Sequence, residues 1–532
     1  MNLPSQPKIP SANQKIARAA GTVMAAYIVV SIVNLLRNVV ILRTFGAGLE
    51  MDAFTAANRV ADTLFNIIAG GALASAFVPT FTGLLTKKKQ QAAWKLASAI
   101  INWVFIIAAV VSLLAVLFAP QIVRHVLAPG FVNDPVKFDL TVHLMYINLI
   151  SVVIFAISGL MMGILNAHQS FLFPALAPAM YSLGQIFGVL VLAPTLGIFG
   201  LAWGVVIGAA FHLLIQVPKL LRLGGSYSLE LGVKNPHVRE VGWLMLPRLV
   251  GVSIVQINFW VNINLASRYT EGSATAIQYG FALMLLPLNF IAQAIATASL
   301  PTFSEQYALG KTDEMRNSIS SAIRSILLLS IPASIGLIVL RFPIIRFLYE
   351  GGGAFTSQDT QLVAWALLWY AAGLVGHSVL EIVVRAFYAQ HDTKTPVLIG
   401  AGAMALNIGL SVLLAWFFNR IGWMPHGGLA LANSIATALE VSILLWLMRN
   451  RLNGIGGGKI WSSLWRSLIA ALVMGGLLLW FLNLGQGFGP LVQLVGGLVI
   501  GVVIYGGLAY LLKIDELTLV VVLLRRKVFG KK

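Results

Sequence analysis

The chain has 532 residues, 58% of them hydrophobic and only 10% charged, with mean hydropathy +0.87. A soluble domain carries about a quarter charged residues, so this composition excludes one and describes a polytopic membrane protein. The net charge of +18 reads as a topology signal and an attraction to anionic headgroups, not as a nucleic-acid footprint, and zero cysteines exclude disulfides, thiol catalysis and thiolate metal sites.

The N-terminal stretch "MNLPSQPKIPSANQKIAR" is polar and basic. The apolar segment after it is too long for a secretory signal and lacks a convincing cleavage site, which predicts a retained first membrane helix. A helix needs about 20 apolar residues to cross a bilayer. Fourteen segments meet this: Thr22–Leu42, Ala53–Leu84, Ala93–Ala119, Leu140–Leu165, Pro174–Leu192, Phe199–Val217, Val241–Ser267, Ala274–Phe303, Ile323–Leu340, Leu362–Tyr388, Pro396–Phe418, Gly428–Met448, Ser467–Leu482 and Leu491–Leu512. The fifth, ninth and thirteenth are the shortest. With the N-terminus in the cytoplasm, 24 Lys and Arg fall in inner segments, 7 in outer ones, and 5 inside helices (Arg37, Arg59, Arg248, Arg324 and Arg385). That bias predicts both termini in the cytoplasm. No outer loop exceeds about 25 residues, which leaves no room for a folded extracellular domain.

An internal repeat runs through the chain. "VPTF" ending at Phe81 returns as "LPTF" ending at Phe303, and "NAHQSFLFPA" from Asn166 returns as "YAQHDTKTPV" from Tyr388. Ser31 answers Ser253 and Arg124 answers Arg346, and all four pairs share one constant separation. Six helices make each repeat, and six is even, so the two are parallel, related by an axis along the membrane normal, with a cavity expected between them. The expected fold is all-α, with 14 transmembrane helices arranged as two parallel six-helix repeats plus two C-terminal helices. Its expected parts are a cytoplasmic segment at 1–21, an N-terminal lobe at 22–222, a C-terminal lobe at 223–450, and two added helices with a basic cytoplasmic tail at 451–532.

The polar residues inside the apolar segments are not scattered. On the first helix Ser31, Asn34, Arg37 and Asn38 share a face; on the second, Thr55, Arg59, Asp62 and Asn66 do the same. Arg37 and Arg59 each lie about six residues, hence about 9 Å, below the outer end of their helices. Two readings account for them. One is an electropositive patch in a hydrated cavity. The other is an internal salt bridge, Arg59 with Asp62, or Arg37 with Asp52 or Asp62. An arginine at a helix centre costs roughly 2.5–3.5 kcal/mol on insertion scales, which either arrangement offsets. The uncharged polar residues that continue both stripes suit the cavity.

In the second repeat Arg248 comes early on helix seven, where snorkelling to the interface accounts for it equally well. Gln256, Asn258 and Asn262 follow, with Gln278 on helix eight. On helix ten His377, Glu381 and Arg385 are spaced i, i+4, i+8, and Glu381–Arg385 reads as a helical ion pair. Glu440 has no partner near it in sequence and suits either a neutral buried role or proton coupling. The eight His form no metal-ligand pattern, and no enzymatic constellation stands out. The candidate substrate-binding residues are therefore Arg37, Arg59, Asp52, Asp62, Asn34, Asn38, Asn66, Arg248, Gln256 and Asn262; no catalytic, cofactor-binding or metal-binding residue is expected.

Several stretches carry a resemblance: "RTFGAGLEMDAF" at Arg43–Phe54, "SAFVPTF" at Ser75–Phe81, "LAPGF" at Leu127–Phe131, "GILNAHQSFLFPALAP" at Gly163–Pro178, "QINFWVNINLAS" at Gln256–Ser267, "GAFTSQDT" at Gly353–Thr360 and "YAQHDTKTPV" at Tyr388–Val397. Together they resemble the MurJ/MviN family of lipid II flippases, within the multidrug/oligosaccharidyl-lipid/polysaccharide exporter superfamily. The resemblance implies a multi-pass protein of the bacterial cytoplasmic membrane in peptidoglycan biosynthesis and cell shape. It implies no enzyme but a transporter that moves an undecaprenyl-pyrophosphate-linked precursor from the inner to the outer leaflet by alternating access. Arg37 falls on the family's basic residue of helix one, Asp52 on the acidic residue after the "FGAG" turn, and Arg59 where the family tends to carry a basic residue. Ser31, Phe65, Gly70, Ala282 and Asn262 stand where the family carries charges, so the implied cavity is less charged. Carriage of another lipid-linked glycan or amphipathic molecule, and a transport-inactive scaffold of cell-wall synthesis, stay open as alternatives. The implied partners are a lipid II-like anionic precursor, membrane lipids and cell-wall synthesis proteins; a coupling cation is compatible, with no site located.

Overall fold

The computed structural model describes residues 12–68, 71–514 and 516–517, without the side chains of 12–25, 71–75, 247, 248 and 250. The first eleven residues, Gly70 and the basic tail from 518 onward lie outside the described residues.

Helices dominate, and no strand occurs among the described residues. In chain order they are α1 (Ala12–Phe45), α2 (Leu49–Ile68), α3 (Gly71–Thr86), α4 (Gln90–Leu117), the short α5 (Ala119–Gln121), α6 (Pro135–Ala167), α7 (Leu172–Phe187), the short α8 (Ala193–Leu196), α9 (Ile198–Leu214) and the short α10 (Val217–Leu221). There follow α11 (Pro236–Ala266), α12 (Ser273–Pro287), α13 (Ala294–Ala308), α14 (Thr312–Tyr349), α15 (Ser357–Ala389), α16 (Lys394–Arg420), α17 (His426–Arg451), α18 (Gly457–Leu484) and α19 (Pro490–Leu511). Among the described residues twelve spans are long and apolar enough to cross a membrane, thirteen if the bent α11 is counted as one span. The remaining apolar segment, Ala53–Leu84, is carried by α2 and α3 on either side of residues 69–70. The faces turned outward are apolar: Leu498, Val502 and Val503 on α19 are all exposed. Such continuous apolar surface is costly in water and ordinary in lipid.

The repeat is visible in the backbone as well as in the letters. α6 starts at 135 and ends at 167, α15 starts at 357 and ends at 389, so both ends are displaced by the interval that separates the repeated motifs. Asp134 caps α6 by accepting from Val136 N and Lys137 N, and Thr356, its repeat counterpart, caps α15 through a capping box with Asp359. Left-handed turns recur at the same interval, at Lys88 and Gly310 and again at Gln169 and His391. α12 and α13 are joined by a π-helical stretch, Leu288–Gln293, directly after Pro287, whose missing N–H loosens the helical ladder.

The described residues form two compact units. Unit 1 holds those up to Ile41, Ala56–His125 and Asp134–Ser253; unit 2 holds Leu42–Thr55, Val126–Asn133 and those from Ile254 on. Within unit 1, α7 and α9 pack backbone to backbone, and a side chain at Gly184 would collide with the Gly208 Cα. Within unit 2, the α1–α2 turn is fixed by Gly46, whose φ of +68° suits glycine and where a side chain would strike the Ala354 carbonyl. Arg43 donates from Nε to Leu348 O (2.8 Å) and from Nη2 to Phe347 O (2.9 Å), a cation placed at the C-terminus of α14.

Candidate substrate-binding site

Unit 1 gathers the charged stripe. α1 and α2 each present one polar face because the apolar residues between repeat at helical spacing. Arg37 donates from Nε (3.2 Å) and Nη2 (2.9 Å) to Asn38 Oδ1, and from Nη1 to Ser182 Oγ at 3.5 Å. Ser182 in turn donates to Asn34 Oδ1 at 2.5 Å. On α2, Asn58 Nδ2 donates to Asp62 Oδ2 at 3.1 Å, and Asn66 Nδ2 to the Asp62 carbonyl at 2.8 Å. Of the nearby cations, Arg59 acts on the Asp62 carboxylate most strongly, and Arg37 acts on it too. Asn34, Arg37, Asn38, Arg59, Asp62 and Asn66 are all half-buried. The structure thus brings six of the ten predicted residues into one unit on two helices.

Among the described residues no carboxylate comes within salt-bridge distance of Arg37. Its hydrogen bonds end on an amide oxygen and a hydroxyl, so its donors are oriented by neutral groups. Ser182 is the member that sequence reasoning missed. The signal was present, since Tyr181, Ser182 and Gln185 are the polar residues of an otherwise apolar α7.

Asp52 serves a different helix. It is 2% exposed, belongs to unit 2, and accepts from Gly272 N (2.8 Å), Thr275 N (2.9 Å) and Thr275 Oγ1 (2.8 Å). These are the first donors of α12, whose N-cap is Gly272, a residue with no side chain to offer. Asp52 supplies the missing cap from 220 residues away. It therefore acts as a helix cap within unit 2.

Gln256 and Asn262 are buried in unit 2. Asn262 Nδ2 and Asn407 Nδ2 both donate to Asn258 Oδ1 at 3.3 Å, and Ser411 Oγ donates to Asn407 Oδ1 at 3.2 Å. This neutral ladder joins α11 to α16. The side chain of Arg248 lies outside the described residues. On α15 the expected Glu381–Arg385 pair is present and gains a third member: Gln293 Nε2 donates to Glu381 Oε1 (2.9 Å) and Arg385 Nη2 donates to Gln293 Oε1 (2.8 Å). His377 Nε2 sits 3.0 Å from Asn433 Oδ1. Among the described residues no group of three or more His, Asp or Glu is placed to hold a metal ion.

The family model described as lipid II flippase MurJ matches residues 41–499. The chain belongs to the MurJ family. A probable lipid II flippase MurJ of Vibrio cholerae is 31% identical over 477 residues, 87% of this chain and 89% of that protein. The lipid II flippase MurJ of Burkholderia cenocepacia is 29% identical over 473 residues, with 87% and 89% covered. A solved lipid II flippase MurJ in an inward closed conformation aligns with TM-score 0.78 and 25% identity, over 93% of this chain and 99% of that one. An inward-facing multidrug resistance MATE family transporter shares the fold at TM-score 0.62 and 13% identity, over 82% and 98%. Membership in the MurJ family makes this a multi-pass protein of the bacterial inner membrane and a transporter. At positions where the family resemblance implies charge, Ser31 Oγ donates to Tyr27 O (2.9 Å) and the Phe65 ring lies 4.8 Å from that of Phe155. Ala282 is half-buried, and Gly70 lies outside the described residues.

Proposed function

We propose that this MurJ-family chain moves lipid II, an undecaprenyl-pyrophosphate-linked peptidoglycan precursor, from the inner to the outer leaflet, and that Arg37 and Arg59 receive its pyrophosphate. The observation that carries the assignment of the residues is the state of Arg37: a half-buried guanidinium whose donors rest on neutral oxygens. Charge-assisted hydrogen bonds are roughly twice as strong as neutral ones, so phosphate oxygens displace the Asn38 and Ser182 oxygens favourably. The planar fork of arginine matches the oxygens of a phosphate two at a time. Asp62, on the same face as Arg59, leaves the cluster with two cations against one carboxylate.

The polyprenyl tail stays in lipid while the headgroup crosses by alternating access. With both termini in the cytoplasm, the two arginines lie in the outer half of the membrane. Moving an anion outward from a negative interior gains roughly 2.3 kcal/mol per charge per 100 mV. The neutral Asn258–Asn262–Asn407 ladder favours a second reading, a different lipid-linked glycan, because it offers the headgroup amides in place of charges. Complementation of a strain depleted of its own flippase separates the two. Rescue by the wild-type chain and failure of Arg37→Ala with Arg59→Ala supports lipid II; rescue by that double variant overturns the assignment of the arginines.

A further inference from the structure

A second polar basin lies in unit 2, formed by residues that none of the preceding clusters uses. A cavity of about 550 Å³ opens between α14, which contributes Ser320 and Arg324, and the turn into α18, which contributes Gly456, Gly457, Gly458 and Lys459. A second cavity of about 210 Å³ shares Arg324, Gly458 and Lys459 and continues to Arg466 and Glu516.

The run "GIGGGK" at 454–459 explains the shape. Gly456 adopts φ +70°, and a side chain there would meet Ser320 Oγ at 2.8 Å, so glycine keeps the turn close against α14. At Gly457 and Gly458 a side chain would meet nothing within 4 Å, so there the backbone is left bare by residue choice and not by crowding. α18 is a 28-residue helix whose N-cap has no side chain to offer. Lys459 N turns back to Gly456 O at 3.0 Å, which leaves the N–H groups of Gly457 and Gly458 directed outward at the positive end of the helix dipole.

The cavity wall points to a ligand independently of the helix end. Ser320 is 3% exposed, and its Oγ has no hydrogen-bond partner among the described residues; Arg324 Nε is likewise buried without one. A buried polar group left unsatisfied is costly, and an oxygen-rich anion in the cavity would satisfy both. The charges agree. Arg324 pairs with Glu516, and Lys459 and Arg466 remain, so three cations face one carboxylate. Arg466 also donates to Lys513 O at 3.0 Å.

The depth is marked by tryptophan. Trp461 and Trp465 sit on the first turns of α18, 60% and 46% exposed, with rings edge to face at 5.8 Å. Exposed tryptophans at a helix end settle at headgroup level, where one side of the ring is wet and the other apolar. The Lys and Arg bias places this end of α18 at the inner leaflet, which is rich in anionic lipid.

We propose that this cavity binds the phosphate of an anionic lipid headgroup, through the bare amides of Gly457 and Gly458, the Ser320 hydroxyl, Arg324 and Lys459. The test uses the purified full chain, stripped of lipid and titrated separately with phosphatidylglycerol, phosphatidylcholine and inorganic phosphate under native mass spectrometry. Phosphatidylglycerol should be retained at least tenfold better than phosphatidylcholine. Lys459→Ala should weaken it roughly fivefold and Lys459→Glu roughly 25-fold, the worth of one cation and then of its reversal beside an anionic headgroup. Ser320→Ala should weaken it severalfold, and Arg37→Ala should leave it unchanged, which separates this site from the transport cluster. Lys459 is exposed, so its variants keep the fold, and unaltered thermal unfolding confirms that. Equal retention of the two lipids overturns the proposal, as does wild-type retention by both Lys459→Glu and Ser320→Ala. Binding of inorganic phosphate without phosphatidylglycerol overturns the lipid source.

Discussion

Two arginines inside the membrane-spanning helices are treated in opposite ways. Arg385, in unit 2, meets Glu381 one turn earlier on its own helix, and Gln293 donates to Glu381 and accepts from Arg385. Arg37, in unit 1, meets Asn38 and Ser182, and none of its hydrogen bonds goes to a carboxylate. Both guanidiniums are costly to place in a bilayer. The first is neutralised within the fold and holds helices together. The second is held in position by neutral oxygens, which an incoming anion replaces under the function proposed above. A buried cation is a binding group when the fold orients it without cancelling it.

Removing one member of the closed triad should have the largest effect on stability. Arg385→Ala leaves the half-buried Glu381 without its charged partner and should cost up to about 3 kcal/mol, read as a lower thermal midpoint and poor yield in detergent. The double change Glu381→Gln with Arg385→Met should recover most of that loss. If Arg385→Ala melts like the wild type, the contrast between the two arginines fails. Arg37→Ala should do the reverse, leaving the thermal midpoint almost unmoved while headgroup translocation in reconstituted vesicles falls about 10- to 100-fold, the worth of its charge-assisted bonds. Arg37→Lys should keep part of the rate, because it restores charge without the fork. Asp52→Ala should cost about 0.5–2 kcal/mol of stability, the value of a helix cap, and change the affinity for substrate little. Loss of substrate binding at constant stability would return Asp52 to the transport cluster.

The smallest effect concerns the loop joining α15 and α16. Asp392 accepts from Thr395 N (2.9 Å) and Thr395 Oγ1 (2.6 Å) and pairs with Arg451, while its counterpart in the first repeat is the uncharged Ser170. The bonds from Thr395, then the Arg451 charge, pull the Asp392 carboxyl from its ordinary 3.8 down to about 2. A depressed carboxyl stabilises the fold fully above its unfolded value near 3.8, and that contribution fades as pH falls through about 2. Its partner Arg451 is exposed, so the effect is small. Asp392→Asn should flatten the fall in thermal midpoint between pH 5 and pH 2, and an identical slope in the variant would remove the loop from the comparison.

Local spacing alone determined the helix segments, the internal repeat, the shared face of Asn34, Arg37 and Asn38, and the Glu381–Arg385 pair. Each is a property of one helix or of two like stretches, so periodicity suffices to read it. Tertiary structure alone decided that Ser182 steadies Arg37 across 145 residues, that Gln293 completes the Arg385 pair across 92, and that Asp52 caps a helix 220 residues downstream. It also decided that Arg324 meets Glu516 beside an open cavity. The reason is geometric. A helical wheel states which residues point the same way, and only the packing of one helix on another states what they point at.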